Sequence, residues 1–237
     1  MLVVSVGGFC QPISTPAKSK LFRQKTLELA MAAKPPMLLE EKIEKIEKVE
    51  KKFIILDPGH GGHDMGTQSI SKPRYQEKSF NLVTANLVRR YLQQAGYNVV
   101  MTREDDTFIS LEKRAEMANE LTPDLFISIH YNSAPSAEAK GIEVFYFNSK
   151  ENKSRTQKSK KAAQEVLKKV LKNTSANSRG VKNGNFLVIR ETKVPAILIE
   201  GGFLSNEEDL QNIKDPDYLK KLAWGIAKGV EDYLKKN

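Results

Sequence analysis

The fold class that this sequence predicts is α/β: a single domain with a mostly parallel or mixed central sheet flanked by helices on both faces. Three observations predict it. From Phe53 onward, strand-like and helix-like segments alternate along the chain, the order that lays helices over a sheet. The segments FIILD (53–57), LFISIH (125–130) and AILIE (196–200) are nearly continuous apolar runs, as strands covered on both sides require. A length of 237 residues, 40% of them hydrophobic and 28% charged, suits one sizeable globular domain plus an additional segment.

That additional segment is 1–52. MLVVSVGGF is a short apolar start with no basic residue before it, too short to span a membrane and incomplete as a signal peptide. AMAAKPP (30–36) has the small residues of a cleavage site, but the stretch before it is charged. In EEKIEKIEKVEKK (40–52), Glu41/Lys45, Glu44/Lys48 and Glu47/Lys51 stand four apart, a spacing that favours helix by a few tenths of a kcal/mol per pair. Ile43, Ile46 and Val49 add only a thin apolar stripe, so a solvated linker helix is expected. The domains are therefore an N-terminal segment with a charged linker helix, or an incomplete signal or anchor region, over 1–52, and one α/β domain over 53–237.

Within the domain, FIILD is the first strand. SFNLVTANLVRRYLQQAG (79–96) reads as a helix, with Phe80, Val83, Leu87 and Tyr91 on one face and Gly96 at its stop. YNVVMT (97–102) is a strand, and SLEKRAEMANEL (110–121) a helix that Ser110 can cap. LFISIH follows as a strand, then GIEVFYF (141–147), whose alternation suggests a place near a sheet edge. Residues 157–172 form a Lys-rich amphipathic helix. NFLVIR (185–190) and AILIE read as strands, and 206–213 and 217–235 as closing helices.

The formal net charge is +9. Such a balance favours anionic partners such as nucleic acid, a membrane surface or an anionic wall polymer. The basic residues are scattered or interleaved with Glu, so general solubility is the plainer reading. No nucleic-acid-binding module is recognisable, and nucleic acid is not expected as a partner. No run approaches the roughly 20 apolar residues of a membrane span. Cys10 is the one cysteine, so there is no internal disulfide framework.

In open α/β sheets, chemistry gathers beyond the carboxyl ends of the strands. His60 follows the first strand, His130 ends LFISIH, and Glu200 ends AILIE. Taken alone, each has a plainer reading: a turn histidine, a hydrogen-bonded histidine, a paired carboxylate. Together, two histidines and a carboxylate make a three-donor catalytic zinc set. Amide hydrolysis also needs a base for the water's proton, so two carboxylates are wanted, one on the metal and one beside it. Glu200 is one, and Glu77, leading into the helix of 79–96, is the other candidate. His63 lies further into the loop and is left out.

The blocks ILDPGHGGHDMGT, QEKSFNL, MTREDD, LFISIHYNSAP, RGVKNGNFLVIR and VPAILIEGGFLSNEEDL together resemble the zinc-dependent N-acetylmuramoyl-L-alanine amidases of the type-3 amidase family. They run in order over about 53–235. The resemblance implies a peptidoglycan hydrolase that cleaves the amide between the lactyl group of N-acetylmuramic acid and the L-alanine of the stem peptide. It places the zinc ligands on His60, Glu77 and His130 and the catalytic base on Glu200. Asn132 and Arg179 are further candidates for substrate contact, Arg179 equally for a structural ion pair. Asp57 is expected to orient a ligand or to cap the turn. Extracytoplasmic action, a peptidoglycan partner and a monomer are also expected, while any activator protein is left unidentified. Some members carry a long inhibitory helix after the second histidine strand. Here YNSAPSAEAKG (131–141) joins the two strands directly, so an open site is expected.

Overall fold

The computed structural model describes residues 52–236. The linker helix expected over 40–52, the start of the chain and Cys10 lie outside the described residues. Six strands form one sheet: β1 (Phe53–Pro58), β2 (Asn98–Met101), β3 (Leu125–Asn132), β4 (Ile142–Tyr146), β5 (Ser178–Asn183) and β6 (Ala196–Phe203). Six helices accompany them: α1 (Glu77–Gln94), α2 (Leu111–Leu121), α3 (Lys153–Thr174), α4 (Leu187–Arg190), α5 (Glu207–Lys214) and α6 (Pro216–Lys235).

The strand order is β2-β1-β3-β6-β4-β5. The first four run parallel, β4 is antiparallel to β6, and β5 runs parallel to β4. The sheet is therefore mixed, and β6 inserts between two strands that precede it in the chain. Side chains alternate between two unequal layers. Ile54, Leu56, Leu125, Ile127 and Ile129 join the large core under α1, α3 and α6. Ile55, Phe126, Ala196 and Leu198 join a small one with Ala118 of α2 and Val188 and Ile189 of α4. The thinly covered face leaves room at its C-terminal rim for polar side chains.

Caps follow the sequence signals. Ser110 accepts a hydrogen bond from Lys113 N at 3.2 Å and opens α2, and Gly96, at φ +92°, follows α1. α3 starts at Lys153, four residues before the predicted start, where Asn152 accepts from Arg155 N at 2.9 Å.

Two expectations are corrected. NFLVIR is not a strand: Leu187–Arg190 forms the short helix α4, and a short apolar run carries no period that separates strand from helix. The strand is the preceding SRGVKN, whose polar, half-exposed residues suit the sheet edge it occupies. β4 lies one place in from the edge, near it as its alternation suggests. Its alternation arises because Ile142 and Val144 enter the large core while Glu143 faces the polar rim. Finally, α1 starts at Glu77 and buries Asn81, Thr84, Ala85, Val88 and Leu92, while Val83 is exposed. Small and polar side chains let that helix lie close to the sheet.

Candidate metal centre

The loop after β1 is fixed through its carbonyls. Asp57 is fully buried, accepting from Thr102 Oγ1 (2.7 Å), Ser128 Oγ (2.8 Å) and Arg114 Nη1 (2.6 Å). Burial alone would raise its pKa, but the Arg114 charge and these hydrogen bonds hold it below the ordinary value. Arg114 in turn donates to the carbonyls of Pro58 (2.8 Å) and His60 (2.7 Å). Arg103 donates to those of Pro58 (2.9 Å) and Gly59 (2.7 Å). Asp57 thus orients the His60 loop through Arg114. His60 itself sits at φ 60°, a left-handed conformation that side chains other than glycine rarely adopt and that concentrates at functional sites.

Glu77 is the hub. It is the first residue of α1, where a carboxylate also suits the helix dipole. Its Oε1 accepts from His130 Nδ1 (2.8 Å), Tyr131 N (3.2 Å) and Asn81 Nδ2 (3.2 Å). Its Oε2 accepts from Thr67 N (2.9 Å) and lies 3.2 Å from His60 Nε2. Burial would push its pKa up, but the hydrogen bonds and charges of His130 and His60 overcome this and hold it well down. On the far side of His60, Nδ1 lies 2.8 Å from Asp64 Oδ2, so Nδ1 carries the proton and Nε2 is directed to Glu77. For His60, burial lowers the pKa, and Glu77 and Asp64 more than restore it.

One donor atom each from His60, Glu77 and His130 lies within 4.8 Å of the others. Two imidazoles and one carboxylate, with a second carboxylate behind one imidazole, match the donor chemistry and outer support of catalytic zinc. Glycine makes this spacing possible. A Cβ on Gly59 would overlap the His130 ring, and one on Gly66 would meet Glu77 Oε2 and His60 Cδ2.

Glu200 pairs in register with His130 on one side and Glu143 on the other. It is 8% exposed, and its Oε2 has no hydrogen-bond partner. Burial, then the charges of Glu77 and Glu143, raise its pKa well above the ordinary value. A cleft of about 410 Å³ runs past His60, Glu77, His130, Asn132 and Glu200, with Leu111, Phe186, Leu187, Val188 and Leu198 as its apolar wall.

The four residues singled out in the sequence thus border one cleft. Asn132 also lines it, with Nδ2 donating to Glu143 Oε1 at 2.8 Å. Arg179 does not line it: the guanidinium pairs with Glu143 at 3.1 Å and lies over the Phe203 ring. His63 packs against Phe108, with ring centroids 4.2 Å apart. Residues 133–141 contain no helix between β3 and β4. Sequence reasoning missed Asp64, Arg103 and Arg114. Asp64, four residues after His60, had a readable position, whereas the arginines act on backbone carbonyls that no motif spacing displays.

Fold and donor set together fit the class of metal-dependent α/β hydrolases. The family model described as N-acetylmuramoyl-L-alanine amidase, Amidase_3, matches residues 54–232. An N-acetylmuramoyl-L-alanine amidase from Clostridium difficile 630 is similar in structure, with a TM-score of 0.74 at 40% identity over 79% of this chain and 98% of that one. The catalytic domain of CwlV, an N-acetylmuramoyl-L-alanine amidase from Bacillus (Paenibacillus) polymyxa var. colistinus, gives a TM-score of 0.72 at 39% identity, covering 78% and 99%. The "Probable cell wall amidase LytH" of Staphylococcus aureus is 35% identical over 186 residues, 78% of this chain. The chain spans 60% of the length of that curated relative. The chain belongs to the Amidase_3 family of N-acetylmuramoyl-L-alanine amidases.

Proposed function

We propose that this chain is a zinc-dependent peptidoglycan hydrolase, cleaving the amide between the lactyl group of N-acetylmuramic acid and the L-alanine of the stem peptide. The observation that carries the reading is the pairing of the His60–Glu77–His130 cluster with Glu200, one strand away and in register with His130. When bound, zinc supplies Lewis acidity, polarising a carbonyl and making a water acidic enough to attack near neutral pH. His60, Glu77 and His130 would hold it.

Glu200 takes the proton of the attacking water on a carboxylate oxygen and delivers it to the leaving amine of L-alanine. Its buried, unpartnered Oε2 supports this role, since no neighbour competes for the proton. Asp64 keeps the His60 proton on Nδ1. Asn132 borders the cleft as a substrate contact, and Phe186 and Leu111 offer the substrate an apolar wall. Arg179 acts through its ion pair with Glu143. The substrate places the activity outside the cytoplasmic membrane, and no described helix is long and apolar enough to cross a membrane. A monomer suffices, because one chain supplies all four chemical groups.

The test is mass spectrometry of muropeptides after incubation with and without a chelator. Free L-alanine amino termini are expected without chelator, lost with it, and restored by added zinc. Another amide bond cleaved instead would overturn the substrate, and full activity in chelator would overturn the metal. Glu200→Gln is expected to keep zinc and fold yet lose at least about a hundredfold in turnover. Near-normal turnover in that variant would remove Glu200 from its role.

A further inference from the structure

The structure gathers much of the chain's net positive charge onto one helix. The sequence alone suggests scattered lysines, but α3 holds eight basic residues and one acidic one within Lys153–Thr174. The formal charge of the whole chain is +9, so this single helix carries most of the excess. Lys153, Lys158, Lys160, Lys161, Lys168 and Lys172 are all exposed. They share the solvent half of the helix, because Arg155, Ser159, Ala162, Ala163, Val166, Leu167 and Val170 occupy the buried half.

Only two ion pairs involve α3 among the described residues: Lys169 with Asp232 (2.7 Å) and Glu165 with Lys236 (2.7 Å). Among the described residues, the six exposed lysines therefore have no carboxylate in salt-bridge range. Lys168/Lys172 and Lys158/Lys161 stand at helical neighbour spacings, where like charges destabilise a helix. That opposition is relieved by an anion laid along the row.

We infer that the lysine face of α3 is a docking site for a linear, phosphodiester-linked polyanion of the cell wall. The helix buries its apolar half within the fold, so it has no hydrophobic face to insert into a bilayer. The row spans about 30 Å at 1.5 Å per residue, and ammonium groups on flexible stems suit phosphates read by charge rather than by shape. The C-terminal end of the row reaches the rim of the sheet at which the cleft opens, from the opposite face. α3 ends at Thr174, and Asn177 O accepts from Ile142 N at 2.8 Å. That anchors the helix exit beside Glu143, at the same rim as Glu200. A wall polymer held there brings neighbouring glycan to the cleft. Its source rests on the peptidoglycan reading, whereas the binding itself does not.

The experiment measures binding of poly(glycerol phosphate) to the full 237-residue chain across a salt series, with no turnover required. Replacing four lysines by glutamine (K160Q, K161Q, K168Q, K172Q) is expected to weaken binding by about tenfold or more and to flatten the slope against log salt by about three to four. A control with the same charge change (K113Q, K193Q, K214Q, K220Q) is expected to bind nearly as the parent does. Both variants are expected to hydrolyse polymer-free muropeptide normally. Equal loss in the two variants would overturn the proposal, as would absence of binding by the parent. Tighter binding to phosphatidylglycerol vesicles, or to a single-stranded oligonucleotide, would also overturn it.

Discussion

Gly59 shows how far a single missing side chain governs the centre. Its backbone lies against the His130 imidazole so closely that any Cβ would occupy the ring's space. Gly59→Ala is therefore expected to displace His130 while leaving the sheet intact. Zinc titration by calorimetry should show affinity reduced by about tenfold or more, with an unchanged far-ultraviolet dichroism spectrum. Asp57 offers a second test, through pH. Its carboxyl is buried against Arg114 and held below the ordinary range, so its stabilisation is present above the unfolded value near pH 4. It is lost as pH falls through the lower folded value. Asp57→Asn leaves Arg114 buried without its counter-charge, at a cost of about 3–5 kcal/mol near neutrality. In denaturant melts, the gap between parent and variant is expected to shrink as pH drops below about 4. A gap independent of pH would refute the charge pairing. Positions at the cleft were legible where chemistry needs a side chain at a strand end: His60, His130 and Glu200. The supports that act on carbonyls were not, because Arg103 and Arg114 look like any surface arginine until the chain folds over them.

Among the elements, α3 and α6 pack without spacing side chains at two points. Gly225 and Gly229 of α6 face the backbone at Val170 and Val166 of α3, and an added Cβ would collide with it. Gly229→Ala is expected to destabilise the domain by about 1–3 kcal/mol through overpacking, read as a lower midpoint in thermal denaturation. Ordinary helix propensity favours alanine there by about 1 kcal/mol, so a stabilised variant would disprove the close approach. The long elements were legible because their periods and caps are local. α4 was not, since NFLVIR is too short to show a period. β5 was hidden for the opposite reason: its edge position frees it from the apolar pattern that marks a buried strand.

For the whole molecule, the unequal layers explain where chemistry is possible. One face is filled by three long helices, and the other, under α2 and the single turn of α4, leaves a cleft at its rim. The α/β class was readable because alternation of elements runs the length of the domain. The mixed character of the sheet depends on β4 reversing, which no residue of GIEVFYF announces. The proposed zinc, with donors on three separate segments, would bind only the folded state, so it is expected to raise the melting temperature, and chelator to lower it. The stabilisation amounts to about 2.7 kcal/mol when free zinc is a hundred times its dissociation constant. A melting temperature indifferent to zinc would mean that the three donors do not act together.

The strand order also sets a sequence of events during synthesis. The metal donors are complete once His130 has emerged, but Glu200 lies on β6, which must slot between β3 and β4 after both have been made. A nascent chain that has reached β5 has His60, Glu77 and His130 and lacks Glu200. The candidate centre is therefore incomplete until the last strand is in place, and it is finished by the same step that closes the sheet.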